Sequence, residues 1–303
     1  MKEDIRNFAK LGLVHHMLYP ECTKDPDYHA ETLLEFASRS DIETFDCCLP
    51  YGQERRKKLV EAIKNSGKDE ITFAAHLFPF RKLFPASESK VEQEQCKIIL
   101  REMIDQAVSI GAKYFIFPSG GPSPEHATER NYEAFGDFCR WLCTELKNFG
   151  ITALLEPFDF NIDKKFLYGP TSKCVELIES LRPEIDNLGI ELDVAHLPLM
   201  GETFEHAIKT CSPYLHRVHL GNCVLKDKTN PRYGDTHPPI WFPGGEIGIE
   251  ETSKILRHLL ETGFLNKTKR ACLVVEMTPW PGKSVDWTIE DAFAKLDEAW
   301  KML

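Results

Sequence analysis

The chain has 303 residues, of which 42% are hydrophobic and 28% charged, and its formal net charge is −10. Such a composition excludes a disordered chain and disfavours broad attraction to a phosphate backbone, so no nucleic-acid partner is expected. No apolar run long enough to span a bilayer occurs, and the N-terminus MKEDIRNFAKLG has no apolar signal core, so a cytoplasmic protein with no membrane partner is expected. Ten cysteines are present, but a chain this size does not need staples, and no CxxC pair marks a zinc or iron–sulfur site. They are expected to be reduced, partly buried thiols.

In chain order, LGLVHHM at 11–17 reads as a first strand, followed by a loop ending near Asp25 or Asp27 and a helix over HAETLLEFAS. DIETFD at 41–46 is a second strand, and ERRKKLVEAIKNSG a helix that stops at Gly67. ITFAAHLF at 71–78 is the third strand, with His76 near its carboxyl end, and a helix at about 87–110 shows Ile98, Leu100, Met103, Ile104 and Ala107 on its apolar face. AKYFIFPSGG at 112–121 and a helical pattern over 124–148 come next. Strand five is ITALLEP, strand six GIELDV, strand seven HRVHLG and strand eight ACLVVEM, separated by the helices TSKCVELIESL, ETFEHAIKTC and IEETSKILRHLLETG and followed by a helix at about 287–301.

Eight strand–helix units of this kind predict an α/β fold, a (β/α)₈ barrel forming one domain over 1–303. The last two strands start 56 residues apart, at 216 and 272. Their connection holds a Pro-, Gly- and Asn-rich stretch at about 221–248, which is expected to lie over the active face, since long irregular connections in compact domains are more often functional than idle.

Four apolar runs in the second half each end in a potential metal ligand. They are LLEPFDF with Glu156, GIELDVAH with Asp193 and His196, HRVHLG with His219, and LVVEM with Glu276. In parallel α/β folds ligands gather beyond the carboxyl ends of strands, so the four principal residues, Glu156, Asp193, His219 and Glu276, are brought to one edge. Three carboxylates packed together require a cation, and an oxygen-rich set suits one divalent ion, Mn²⁺ first and Mg²⁺, Co²⁺ or Zn²⁺ as alternatives. Each residue singly also has a plainer role: Glu156 as the partner of an arginine, His219 as a packed histidine, Asp193 as the cap of the following turn.

The order Glu, Asp-x-x-His, His, Glu along strands five to eight resembles the xylose isomerase-like barrel superfamily. Within it the chain is most similar to the sugar isomerase/epimerase group that includes ketose 3-epimerases, inosose dehydratase and hydroxypyruvate isomerase. The resemblance spans essentially the whole chain. It implies that Glu156, Asp193, His219 and Glu276 bind one metal ion, that Glu156 and Glu276 form the catalytic acid/base pair, and that His196 contacts substrate. Gly234-Asp235-Thr236-His237-Pro238 also resembles the Asp-x-His metal motif of the abasic-site endonucleases in this superfamily, with His196 and His76 near further ligand positions. Strand four ends in Phe117-Pro118-Ser119-Gly120, where the endonuclease pattern has a histidine, so a full three-metal set is incomplete.

The expected activity is therefore a metal-dependent isomerisation or epimerisation of a small sugar or polyol carbonyl compound through an enediolate. The alternatives are an inosose-type dehydratase, an abasic-site endonuclease-like phosphodiesterase and a noncatalytic sugar-binding protein. Arg217, two residues before His219, should share its side of the strand and serve as a substrate or carboxylate partner. Asp235, His237 and His76 are further substrate-contact candidates, and His15, His16 and Glu43 weaker ones. Several aromatics, Phe78, Phe80, Phe84, Phe117, Phe158, Trp241 and Trp280, are available to wall a pocket. A homodimer or homotetramer is compatible with the resemblance.

Overall fold

The computed structural model describes residues 3–75 and 81–303. Its elements run β1 (Ala9–Val14), α1 (His15–Leu18), α2 (Pro26–Ser38), β2 (Thr44–Cys47), α3 (Gln53–Asn65), β3 (Thr72–Ala74), α4 (Lys90–Ser109), β4 (Tyr114–Pro118), α5 (Glu129–Lys147) and β5 (Thr152–Glu156). They continue as α6 (Thr171–Leu181), β6 (Leu188–Asp193), α7 (His196–Met200), α8 (Phe204–Cys211), β7 (Leu215–Leu220), α9 (Ile249–Glu261), β8 (Ala271–Val275) and α10 (Val285–Lys301). The strands form a closed barrel in sequence order, every pair parallel, and β1 closes the ring on β8 from Ala9↔Ala271 to Leu13↔Val275. This is the expected TIM barrel.

Strands covered on both faces read as continuous apolar runs, as YFIFP in β4 and ACLVV in β8 do. The surrounding helices each bury one stripe; α5 turns Phe135, Phe138, Cys139, Leu142, Cys143 and Leu146 inward at helical spacing. Side chains of Asp25, Ser89, Thr203 and Ser284 accept the free first-turn N–H groups of α2, α4, α8 and α10. Behind Pro170, α6 borrows its cap: Glu202 accepts from Thr171 N at 2.8 Å and Thr171 Oγ1 at 2.5 Å.

Four expectations need correction. The first strand stops at Val14, and His15–Leu18 turn into a short helix that carries the chain off the barrel rim. A short helix also follows β6, ahead of the helix over ETFEHAIKTC that was the next element expected. In α4, Leu100, Ile104 and Ala107 are buried, but Ile98 is 64% exposed and faces solvent. The third strand spans only Thr72–Ala74, and His76, with Phe78 and Phe80, lies outside the described residues.

Two loops on the carboxyl-end face are built on single buried polar side chains. In the β7–α9 connection Asn222 donates to Pro239 O and accepts from Cys223 N and Ile247 N, at 2.9–3.0 Å. In the β5–α6 loop the Asp159 carboxylate accepts the N–H groups of Ile162, Asp163, Lys164 and Lys165. Buried loop backbone needs such partners, because water is not there to supply them.

The β1–β2 pair depends on a missing side chain. A Cβ at Gly12 would lie 2.6 Å from Thr44 Cγ2 and 2.7 Å from Thr44 O. Gly12→Ala is expected to cost about 1–3 kcal/mol through forced backbone movement. Urea denaturation measures this, and unchanged stability would mean that the two strands are not packed so closely.

Candidate active site

The four principal residues arrive on neighbouring strands. Glu156 and Asp193 are the last residues of β5 and β6, His219 is the penultimate residue of β7 and pairs in register with Asp193, and Glu276 directly follows β8. All four are at most 3% exposed. One oxygen each of Glu156, Asp193 and Glu276 lies within 4.8 Å of the others, and Glu156, Glu191 and His219 form an overlapping group at the same separation. The structure thus brings the expected four together and adds Glu191.

The orientation of His219 is set from behind. Its Nε2 lies 2.9 Å from Asp46 Oδ2, while Nδ1 faces Glu276 Oε2 at 2.6 Å and Glu191 Oε1 at 3.4 Å. A carboxylate that takes the Nε2 hydrogen leaves Nδ1 as the nitrogen that faces a metal, the usual support for a ligating histidine. Asp46 is itself fixed by Arg217, which is fully buried and also donates to Thr44 Oγ1 and Glu70 O. Of the two roles foreseen for Arg217, it takes that of carboxylate partner; its guanidinium is spent inside the barrel and offers no substrate contact.

Burial favours a raised pKa at Asp46, but Arg217 and His219 outweigh it and hold it below the usual carboxylate value. Burial opposes charge on His219, yet Glu191, Glu276 and Asp46 push its pKa well above that of free imidazole. Glu191 is pushed well up by burial, and Asp193 rises to about 6 for the same first reason. The carboxylates therefore need positive charge beside them, and the donor set fits a divalent ion, which would take the lone pair of His219 in place of its proton.

A second donor group adjoins the first through Asp193. His196 donates Nδ1–H to Pro157 O at 2.8 Å, so that Nε2 faces Asp193 Oδ2 at 3.3 Å and Asp235 Oδ2 at 3.4 Å. His237 places Nε2 2.8 Å from Asp235 Oδ1 and Nδ1 3.6 Å from Asp193 Oδ2. Asp193 Oδ2, His196 Nε2, Asp235 Oδ1 and His237 Nδ1 are buried and crowded, yet none makes a hydrogen bond of good geometry among the described residues. Donors that converge without bonding one another suit a shared cation or substrate hydroxyls. Gly221 makes this approach possible, since a Cβ there would meet Asp193 Oδ1 at 2.6 Å and His237 Nδ1 at 2.9 Å.

Asp235 and His237 come from the long β7–α9 connection. Lys164 Nζ lies 2.9 Å from Asp235 Oδ2, and Asp163 Oδ2 accepts Asp235 N at 2.9 Å, so the β5–α6 loop clasps this segment. His237 sits at φ +46°, and its carbonyl accepts from both Thr278 N and Thr278 Oγ1. Phe158 covers His196 with ring centroids 4.1 Å apart.

Other candidates lie elsewhere. Glu43 pairs with Arg270 at the amino-end face, away from the site. His15 faces Thr32 in α2. Phe117 is core, packed on Phe135 and Phe138, and Trp241 is tied to Asp291 of α10. Asp46, Glu191 and Lys164 were not anticipated. Glu191 stands two residues before Asp193 in the same strand, and that period-two spacing was the available signal.

A model of the family described as xylose isomerase-like TIM barrel matches residues 34–286. Among solved structures the chain is similar to a D-tagatose 3-epimerase-like protein at 17% identity, covering 96% of this chain and 98% of that one with a TM-score of 0.69. It is also similar to a xylose isomerase domain protein from Planctomyces limnophilus at 17% identity, with 97% and 98% covered and a TM-score of 0.66. A D-psicose 3-epimerase with D-tagatose from Clostridium cellulolyticum H10 is 14% identical, with 96% and 98% covered and a TM-score of 0.66. At these identities the likeness establishes the common barrel. No curated protein matches by sequence.

Asp46→Asn should leave Arg217 buried without its countercharge, at a cost of about 3–5 kcal/mol. It should also weaken divalent-ion binding about 10–100-fold by freeing the His219 ring. Denaturation and Mn²⁺ titration calorimetry read the two effects separately. An Asp46→Leu/Arg217→Met double variant should regain stability without regaining affinity; equal recovery of both would remove Asp46 from the support of His219.

Proposed function

The chain belongs to the xylose isomerase-like TIM-barrel family, and on that premise we propose that it is a divalent-metal-dependent isomerase or epimerase of a small sugar or polyol carbonyl compound. The observation that carries this reading is the convergence of Glu156, Asp193 and Glu276 within 4.8 Å, buried beside His219. Glu156, Asp193, His219 and Glu276 would hold the ion, with Glu191 beside them and Mn²⁺ as the first choice for an oxygen-rich set. When bound, the ion supplies Lewis acidity at the substrate carbonyl and countercharge for an enediolate.

The chain's own residues do the rest. Glu156 and Glu276 come from β5 and β8, which flank β6 and β7, so the two carboxylates reach a bound substrate from different sides. One removes the proton next to the carbonyl and the other returns it. Return to the same carbon on its opposite face inverts it, and return to the neighbouring carbon exchanges ketose for aldose. Loss of the next hydroxyl would instead give an inosose-type dehydration. His196, Asp235 and His237 stand where they can bind substrate hydroxyls, and Phe158 supplies an apolar wall.

The second donor group, Asp193, His196 and His237, favours one alternative, an abasic-site endonuclease-like phosphodiesterase using more than one ion. At the end of β4 that reading finds Ser119, whose hydroxyl accepts from Tyr168 N at 2.9 Å.

The test is exchange of substrate C–H for deuterium, followed by NMR across ketoses and inososes with Mn²⁺ present. Exchange should fall about 10²–10⁴-fold in Glu276→Gln, the usual contribution of a general acid/base. Absence of exchange in metal-loaded protein, together with cleavage of abasic DNA and two or more bound ions, would replace the isomerase reading by the phosphodiesterase.

A further inference from the structure

A separate cluster lies at the start of the chain, where β1 leaves the barrel. His15 opens α1, Cys22 lies in the 3-10 turn Pro20–Thr23, and His29 is in the first turns of α2. The three are 0%, 3% and 4% exposed. One ring nitrogen of each histidine and Cys22 Sγ all lie within 4.8 Å of one another. None of the three belongs to the donor groups around Asp193 and His219.

Hydrogen bonds around the rings assign their tautomers. Thr32 Oγ1 spends its hydrogen on Tyr28 O at 2.8 Å, so it accepts from His15 Nε2 at 3.0 Å. Cys48 O can only accept, so His29 Nε2, 3.0 Å away, carries a hydrogen as well. Each neutral ring therefore keeps Nδ1 as a bare lone pair, and His15 Nδ1 is fully buried without a hydrogen-bond partner among the described residues. A buried acceptor left without a donor costs free energy, and a histidine whose far N–H is bound to a carbonyl or hydroxyl is the arrangement found behind metal ligands. A cavity of about 280 Å³, lined in part by Cys22, His29 and Cys48, leads to the cluster.

We propose that His15, Cys22 and His29 form a thiolate-containing metal site for Zn²⁺ or a similarly soft ion, distinct from the oxygen-rich centre in the barrel. Two imidazoles and a thiolate select such an ion, whereas the central carboxylates select a hard one. A water from the cavity side would complete a tetrahedral shell. On binding, the Cys22 thiol loses its proton to solvent and the two rings bind without change of protonation. The ion pins α1, the 3-10 turn and α2 together, a structural role at the edge of the active face.

Cobalt tests this on the metal-free full chain under reducing conditions, because a thiolate–Co²⁺ charge-transfer band in the near ultraviolet reports only on a cysteine ligand. The band should saturate with one ion per chain, persist in Asp193→Asn and vanish in Cys22→Ser. No band in the wild type, or a band that survives Cys22→Ser, overturns the site. Should Cys22→Ser not fold, His29→Gln serves: it should cost cobalt affinity at this site more than the roughly 10–100-fold typical of losing an outer-shell partner. An unchanged cobalt affinity and charge-transfer band in His29→Gln would exclude His29 as a ligand. Proton exchange with sugars does not read this site, so the two proposals stand or fall separately.

Discussion

Carboxylates taken out of water need positive charge close by, and this need organises the carboxyl end of the barrel. Asp46, Glu156, Glu191, Asp193, Asp235 and Glu276 are each no more than 6% exposed. Arg217 answers Asp46 from below and Lys164 answers Asp235 from the side. Among the described residues, Glu156, Glu191, Asp193 and Glu276 lie close to three imidazoles, His196, His219 and His237, whose pKa values are all raised by their acidic neighbours against the opposing effect of burial. Buried ion pairs are poor sources of stability compared with apolar packing. Their concentration at one end of an otherwise apolar barrel marks a place shaped by chemistry.

Strands and loops share the site unequally. The strand-borne donors are held by the barrel's own register, Asp193 opposite His219 and His219 opposite Val274. The loop-borne donors have no such lattice. Asp235 and His237 depend on Asn222, on Asp163 and Lys164 across the adjoining loop, and on Thr278 after β8. The positive φ of His237 belongs with this support, since an L-residue in that conformation is kept only by its surroundings.

The barrel was legible because each strand was a short apolar run bounded by turn residues and followed by a helical period. Glu156, Asp193, His219 and Glu276 were legible because a charged or polar residue at the end of such a run has few reasons to be there. Arg217 misled in part: the side of its strand was foreseen, but depth in the barrel is set by the stagger between strands, which pattern does not carry. Asp46 was hidden for the same reason, since nothing local in DIETFD says that a residue from β7 will meet it. As a metal site His15, Cys22 and His29 went unread, since no CxxC motif marks them and His15 reads only as a weak substrate-contact candidate, although they stand seven residues apart in turn. Their meeting depends on α1 and on the turn before α2, neither of which the strand pattern announced.

The pairing of Asp46 with Arg217 joins residues 171 positions apart in the chain. Contacts of such separation carry a large loop-closure cost and belong to the slow part of folding. Until β2 and β7 face each other across a closed ring, both charges are better left in water. The crossbar beneath the site therefore forms late, and the geometry above it is set only as the barrel completes its circumference.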